Sequence, residues 1–152
     1  MISAVFDCMV FLQGATSDRG PAFACLELVE FNQVQLYTSA AILDEVRDVL
    51  TRPEIQAKFP HLTAERAEIF IQKIATIAVL VSDVGDAGVN LRDPDDAAYL
   101  NLAITANAAY LVSRDKDLLD LMRDSAFTSS YPQMQVVDPV AFLGVVRAAQ
   151  TP

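Results

Sequence analysis

The chain has 152 residues, 53% of them apolar and 20% charged, with a formal charge of −9 from 20 acids and 11 bases. That length suits one core, and the composition excludes a disordered chain and argues against a broad basic surface for coating nucleic acid. No apolar run approaches the roughly 20 residues of a membrane helix, and residues 1–7 reach an acid without the basic leader of a signal peptide. Cys8 and Cys25 are the only cysteines. Without CxxC or a histidine cluster they suggest neither zinc nor a required disulfide, and a reducing cytoplasm fits.

Residues 2–6 form a short apolar run ending at Asp7, as a buried parallel strand does. Gly14 and Gly20-Pro21 punctuate what reads as the following loop. Residues 21–32 have helical spacing, and 34–38 form a second strand. Ser39 suits the cap of a helix over 40–50, which Arg52-Pro53 ends. Ile42, Leu43, Val46, Val49 and Leu50 make its apolar stripe, and Asp44, Arg47 and Asp48 point away. Glu45 instead falls on the flank of that stripe, so its carboxylate must reach the rim of the core.

A helical turn over 54–59 and a long helix over 63–77 precede a third strand at 78–82 and a loop at 83–91. The stretch 92–119 then runs acids, apolar helix, short strand, acids. Asp93, Asp95 and Asp96 open it, the strand spans 109–113, and Asp115 and Asp117 close it. Residues 118–122 continue as a helical turn, 124–133 read as polar loop, 134–137 as a fifth strand, and 139–148 as a last helix. Five short buried strands alternating with helices imply an α/β sandwich on a largely parallel sheet, in one domain spanning 1–148 with a tail at 149–152.

Ligands of such sheets bind beyond the carboxyl ends of the strands, at the switch point. Asp7 and Asp115 follow the first and fourth strands, so neighbouring strands would bring both acids to that crevice, with Glu45 and Asp96 beside them. Carboxylates gathered in this way repel one another unless a cation lies between them, and a divalent metal is the usual answer. Each acid also has a plain structural role open to it. Asp93-Pro94 is a good helix start, with Asp96 placed like the partner of a capping box. Asp7 and Asp115 could bond turn amides, and Glu45 could extend to solvent. Asp96 shares a helical face with Tyr99, Leu100 and Ala103, which aims it inward, and Asp95 points to solvent.

Other chemistries lack their residues. The chain has no GxGxxG and no phosphate loop. His61 is the one histidine, beside Pro60 and without a G-x-S-x-G elbow elsewhere. An Asp-x-Asp phosphatase needs an acid at position 9, which is Met9.

Asp7 after the first strand, Ser39-x-x-Ile-Leu-x-Glu45 with Arg52-Pro53 behind it, DPDD at 93–96 and Leu-Val-Ser-Arg-Asp115-Lys-Asp117 together resemble a PIN domain. The likeness is greatest to small prokaryotic VapC-like toxins of toxin–antitoxin pairs. It implies a three-layer α/β/α fold with sheet order 3-2-1-4-5 and a metal-dependent ribonuclease active on RNA. The family's four acids fall on Asp7, Glu45, Asp96 and Asp115. Asp93 and Asp117 match auxiliary acids, and Ser113 matches a frequent Ser or Thr. It also implies a small antitoxin protein as partner, and a homodimer. Met9 departs from the pattern, which commonly has Asn, Ser or Thr there.

The resulting expectation is a Mg²⁺- or Mn²⁺-dependent endoribonuclease. Oxygen-only ligands from Asp7, Asp96 and Asp115 suit these hard cations, with Glu45 completing the cluster. Arg114 and Lys116, flanking Asp115, are candidates for phosphate contact. Met9 and the negative charge motivate a second reading, a PIN-fold binding or regulatory module without catalysis. A third is another metal-dependent phosphoryl-transfer enzyme, since fold does not fix substrate.

Overall fold

A computed structural model describes residues 1–150. Its centre is an all-parallel five-stranded sheet in the order β3-β2-β1-β4-β5, the order the resemblance implies. The strands are β1 (Ile2–Phe6), β2 (Val34–Thr38), β3 (Val79–Leu80), β4 (Tyr110–Val112) and β5 (Gln135–Val137). Ala4, Val5 and Phe6 of β1 are buried to 1% exposure or less, as a central strand covered on both faces requires.

The chain moves outward from β1 through β2 to β3, then turns back past both to β4 and on to β5. Right-handed crossovers therefore place α1 (Cys8–Thr16), α2 (Pro21–Glu30), α3 (Ala40–Leu50), α4 (Pro53–Lys58) and α5 (Ala64–Ile77) on one side. The opposite side receives α6 (Ala97–Thr105), α7 (Lys116–Leu119) and α8 (Ser125–Ser130). The last helix, α9 (Pro139–Gln150), packs against α2, and α6 lies across β1, β2 and β4. The reversal falls between β1 and β4, so their carboxyl ends border the crevice of this sheet.

Four stretches differ from the sequence reading. Residues 8–16 are a helix and not a loop: Asp7 caps it by accepting the Val10 amide, and Val10, Phe11, Leu12 and Gly14 are buried. Gly14 is no punctuation, because a Cβ there would collide with the Leu26 side chain of α2. The glycine marks close helix packing, which looks the same in sequence as a breaker. Residues 125–130 form α8 because Asp124 caps the turn and Phe127 plugs the core, a single anchor among polar neighbours. The third strand pairs only through Val79 and Leu80, both exposed at the sheet edge. The final helix runs through Gln150, beyond the expected start of a tail at 149; residues 151–152 lie outside the described residues.

Candidate metal centre

Asp7 follows β1 directly and its amide continues the sheet by donating to Val112 O at 3.1 Å. Its carboxylate is 6% exposed and both oxygens are engaged. Oδ1 accepts the Val10 amide at 3.1 Å, and Oδ2 accepts a hydrogen bond from the Ser113 hydroxyl. Ser113 is fully buried just past β4, where its amide donates to Val137 O at 2.9 Å. Its Oγ in turn accepts the Asp115 amide at 2.9 Å. The ends of β1 and β4 are thus wired in series, from Asp115 N–H through Ser113 to Asp7.

Asp115 caps α7, Oδ1 accepting the Asp117 amide at 2.8 Å and the Leu118 amide at 3.4 Å. Asp117 also stands 3.6 Å from the Arg92 guanidinium. Asp93 caps the short 3₁₀ turn Pro94–Asp96 by accepting the Asp95 amide at 3.0 Å. Asp96 makes no return bond to complete a capping box; its Oδ2 is buried without any hydrogen-bond partner. The three carboxylates that converge among the described residues, with one oxygen from each within 4.8 Å of the others, are Asp96, Asp115 and Asp117.

Asp7, Glu45, Asp93, Asp95, Asp96, Tyr99, Arg52, Arg114 and Asp115 line one cleft of about 420 Å³, with Cys8, Met9 and Val49. Glu45 enters from α3, half-buried as its flanking position dictates. Asp95 is exposed at the rim, and Lys116 is exposed outside the lining. The sequence reading singled out neither Arg52 nor Tyr99 as a site residue. Arg52 reads as a helix terminator and Tyr99 as core. Their signal lay in register: Tyr99 is one helical turn beyond Asp96, and Arg52 follows the end of α3, seven residues beyond Glu45.

Crowding shows in the protonation equilibria. Asp96 is pushed up to about 6, first by burial and then by the charges of Asp115, Asp93, Asp7 and Asp117. Asp7 is also raised, by burial above all and by Asp115, although the Ser113 and Val10 hydrogen bonds pull the other way. Burial, then the Glu45 charge, pushes the Cys8 thiol up to about 11, which leaves it a neutral packing group.

A divalent cation fits this donor set. All the ligands offered are carboxylate oxygens, Mg²⁺ and Mn²⁺ prefer such ligands, and a buried Asp96 oxygen with no partner is what such an ion satisfies.

A family model described as PIN domain matches residues 3–117. The chain belongs to the PIN-domain family, whose members are generally nucleases and usually employ a divalent metal. It is 27% identical over 129 residues to an uncharacterized protein of Methanocaldococcus jannaschii, covering 83% of this chain and 79% of that one. The fold is similar to a chain in the crystal structure of VapBC2 from Rickettsia felis bound to a DNA fragment from their promoter. The TM-score is 0.56 at 12% identity, covering 90% of this chain and 98% of that chain.

Proposed function

We propose that this protein is a Mg²⁺- or Mn²⁺-dependent endoribonuclease, the toxin component of a type II toxin–antitoxin pair, acting in the cytoplasm. The observation that carries the reading is the unpartnered, buried Asp96 oxygen facing Asp115 and Asp117 at the switch point of the sheet. Asp96, Asp115 and Asp7 would hold the metal, with Asp117 able to replace or supplement Asp7, whose oxygens already accept two hydrogen bonds. A divalent ion bound there supplies an acidified water and a counter-charge for the scissile phosphate.

The remaining chemistry belongs to the side chains. Ser113 fixes the Asp7 carboxyl and the Asp115 main chain through one hydroxyl. Glu45, across the cleft, is placed to accept a proton or orient water. Arg114 and Arg52 offer the only cationic groups of the cleft lining to a phosphate backbone. The resemblance to VapC-like toxins supports a small antitoxin as protein partner and a homodimer. The direct test is a cleavage assay on purified RNA with Mg²⁺, Mn²⁺ or EDTA, beside calorimetric metal titration. Cleavage that survives EDTA, or absence of both binding and cleavage at millimolar metal, would overturn the reading.

The second result would favour a PIN-fold binding or regulatory module. Met9, 47% exposed at the cleft where a polar side chain would serve water or metal, is the observation on its side.

A further inference from the structure

The Tyr99 ring is core, yet its hydroxyl is out of place there. Tyr99 is 3% exposed, and its Oη is buried with no hydrogen-bond partner. Leaving a buried hydroxyl unpaired costs about 1–3 kcal/mol, and phenylalanine would fill the same space without that cost. The hydroxyl lies in the lining of the acidic cleft, with Cys8 and Glu45. Burial first, then the charges of Cys8 and Glu45, push the phenol up.

Glu45 has a complementary deficit. It is half-buried on α3 and forms no ion pair among the described residues. A carboxylate on a flexible side chain at the flank of a helix has many rotamers, most of them directed to solvent. A donor is needed to keep it in the cleft. Between the two acceptors near Tyr99, a thiol is weak, and hydrogen bonds to a carboxylate are roughly twice as strong as neutral ones.

We infer that Tyr99 is a positioning residue whose phenolic O–H, projecting from α6, holds the Glu45 carboxylate of α3 inside the cleft, facing the carboxylates at the strand ends. The bond ties the two helical layers together across the mouth of the crevice. This inference rests on the metal-centre reading for its consequence, but the contact itself does not depend on a metal.

The experiment combines Mn²⁺ titration by calorimetry with thermal denaturation of the metal-free protein, for wild type, Tyr99→Phe, Glu45→Ala and the double variant. Tyr99→Phe is expected to weaken Mn²⁺ binding about 10-fold, the usual effect of losing a group that orients a ligand. In the Glu45→Ala background it should have no further effect. The metal-free Tm shifts of the two substitutions should be non-additive. Cys8→Ala should bind Mn²⁺ as wild type does.

Wild-type Mn²⁺ affinity in Tyr99→Phe, or a loss that persists undiminished in the Glu45→Ala background, overturns the inference while the metal centre stands. If wild type binds no Mn²⁺, the metal-centre reading fails, and the metal-free cycle alone decides Tyr99. Non-additive shifts then uphold the contact, and additive shifts overturn it.

Discussion

The two halves of the cleft are built on opposite terms. The strand-borne half, Asp7, Ser113 and Asp115, is closed: each carboxylate accepts backbone or hydroxyl hydrogen, and Ser113 bonds to both neighbours. The helix-borne half is open. Asp96 has a buried oxygen without a donor, Tyr99 a buried hydroxyl without an acceptor, and Glu45 no ion pair. Satisfied groups set geometry, because their orientation is fixed before any ligand arrives. Unsatisfied ones retain bonding capacity, which a metal would recover at Asp96, and Glu45 at the Tyr99 hydroxyl. The closed half is a template and the open half is where affinity resides.

The largest effect should come from removing charge from the open half. Asp96→Asn is expected to lower RNA cleavage at least about a thousandfold, since it removes a ligand and the counter-charge together. It should also stabilise the metal-free fold, by about 1 kcal/mol after allowing for solvent screening, or roughly 3 °C in Tm. A nuclease assay paired with thermal denaturation separates these. Asp96→Asn that cleaves normally would break the contrast between the halves.

Breaking the template should act the other way round. Ser113→Ala leaves Asp7 Oδ2 buried without its donor and the Asp115 amide without its acceptor, where wild type satisfies both. The cost of orphaning such groups is about 1–3 kcal/mol, so Tm should fall by roughly 3–10 °C, with or without metal. Unchanged stability would show that the series Asp115–Ser113–Asp7 is not what holds the strand ends.

The strands were legible because buried parallel strands are short, mostly apolar runs, as Ile2–Phe6 is, whereas the sheet order came with the family resemblance. Helix α1 was hidden because Gly14, needed for the approach of Leu26, has the look of a turn. In the site, sequence identified acids by position after strands and on a helix face. It could not show which oxygens remain free. Asp7 and Asp96 are both acids at the same sheet edge, and only the structure separates a carboxylate with two donors from one with a bare oxygen. Tyr99 was legible as core and illegible as cleft, since the ring and the hydroxyl have different surroundings.

Protonation offers a third lever on the open half. Asp96 titrates near 6 in the fold against an ordinary value of 3.8, so the folded protein holds that proton more tightly than the unfolded chain. Its contribution to stability is complete below the ordinary value and is lost as pH rises through about 6. Asp7 is raised as well and acts in the same sense. Metal-free wild type should therefore lose Tm relative to Asp96→Asn between about pH 3 and pH 7, and the gap should be absent at about pH 3. Thermal scans of both proteins in EDTA measure it. A gap that is constant with pH would mean that Asp96 does not titrate against its neighbours.

The smallest expected effect concerns the cationic groups that would meet the phosphate backbone, and it sharpens the same contrast. Arg52, on the helical side, is tied at 3.0 Å to Asp48, which has to be given up before it can engage another anion. Arg114, beyond β4, is exposed in the cleft and makes no ion pair among the described residues. For cations, then, it is the strand side that is free and the helical side that is engaged. Arg114→Ala should raise KM for RNA about 3- to 10-fold with kcat little changed, and reduce the salt dependence of binding by roughly one unit of slope. Arg52→Ala should change KM less than about twofold, because it loses a contact already neutralised. Lys116→Ala, outside the lining, should fall below even that. Equal effects at all three positions would reduce the cations to a diffuse field around the cleft, and a larger effect at Arg52 would place the phosphate path along α3.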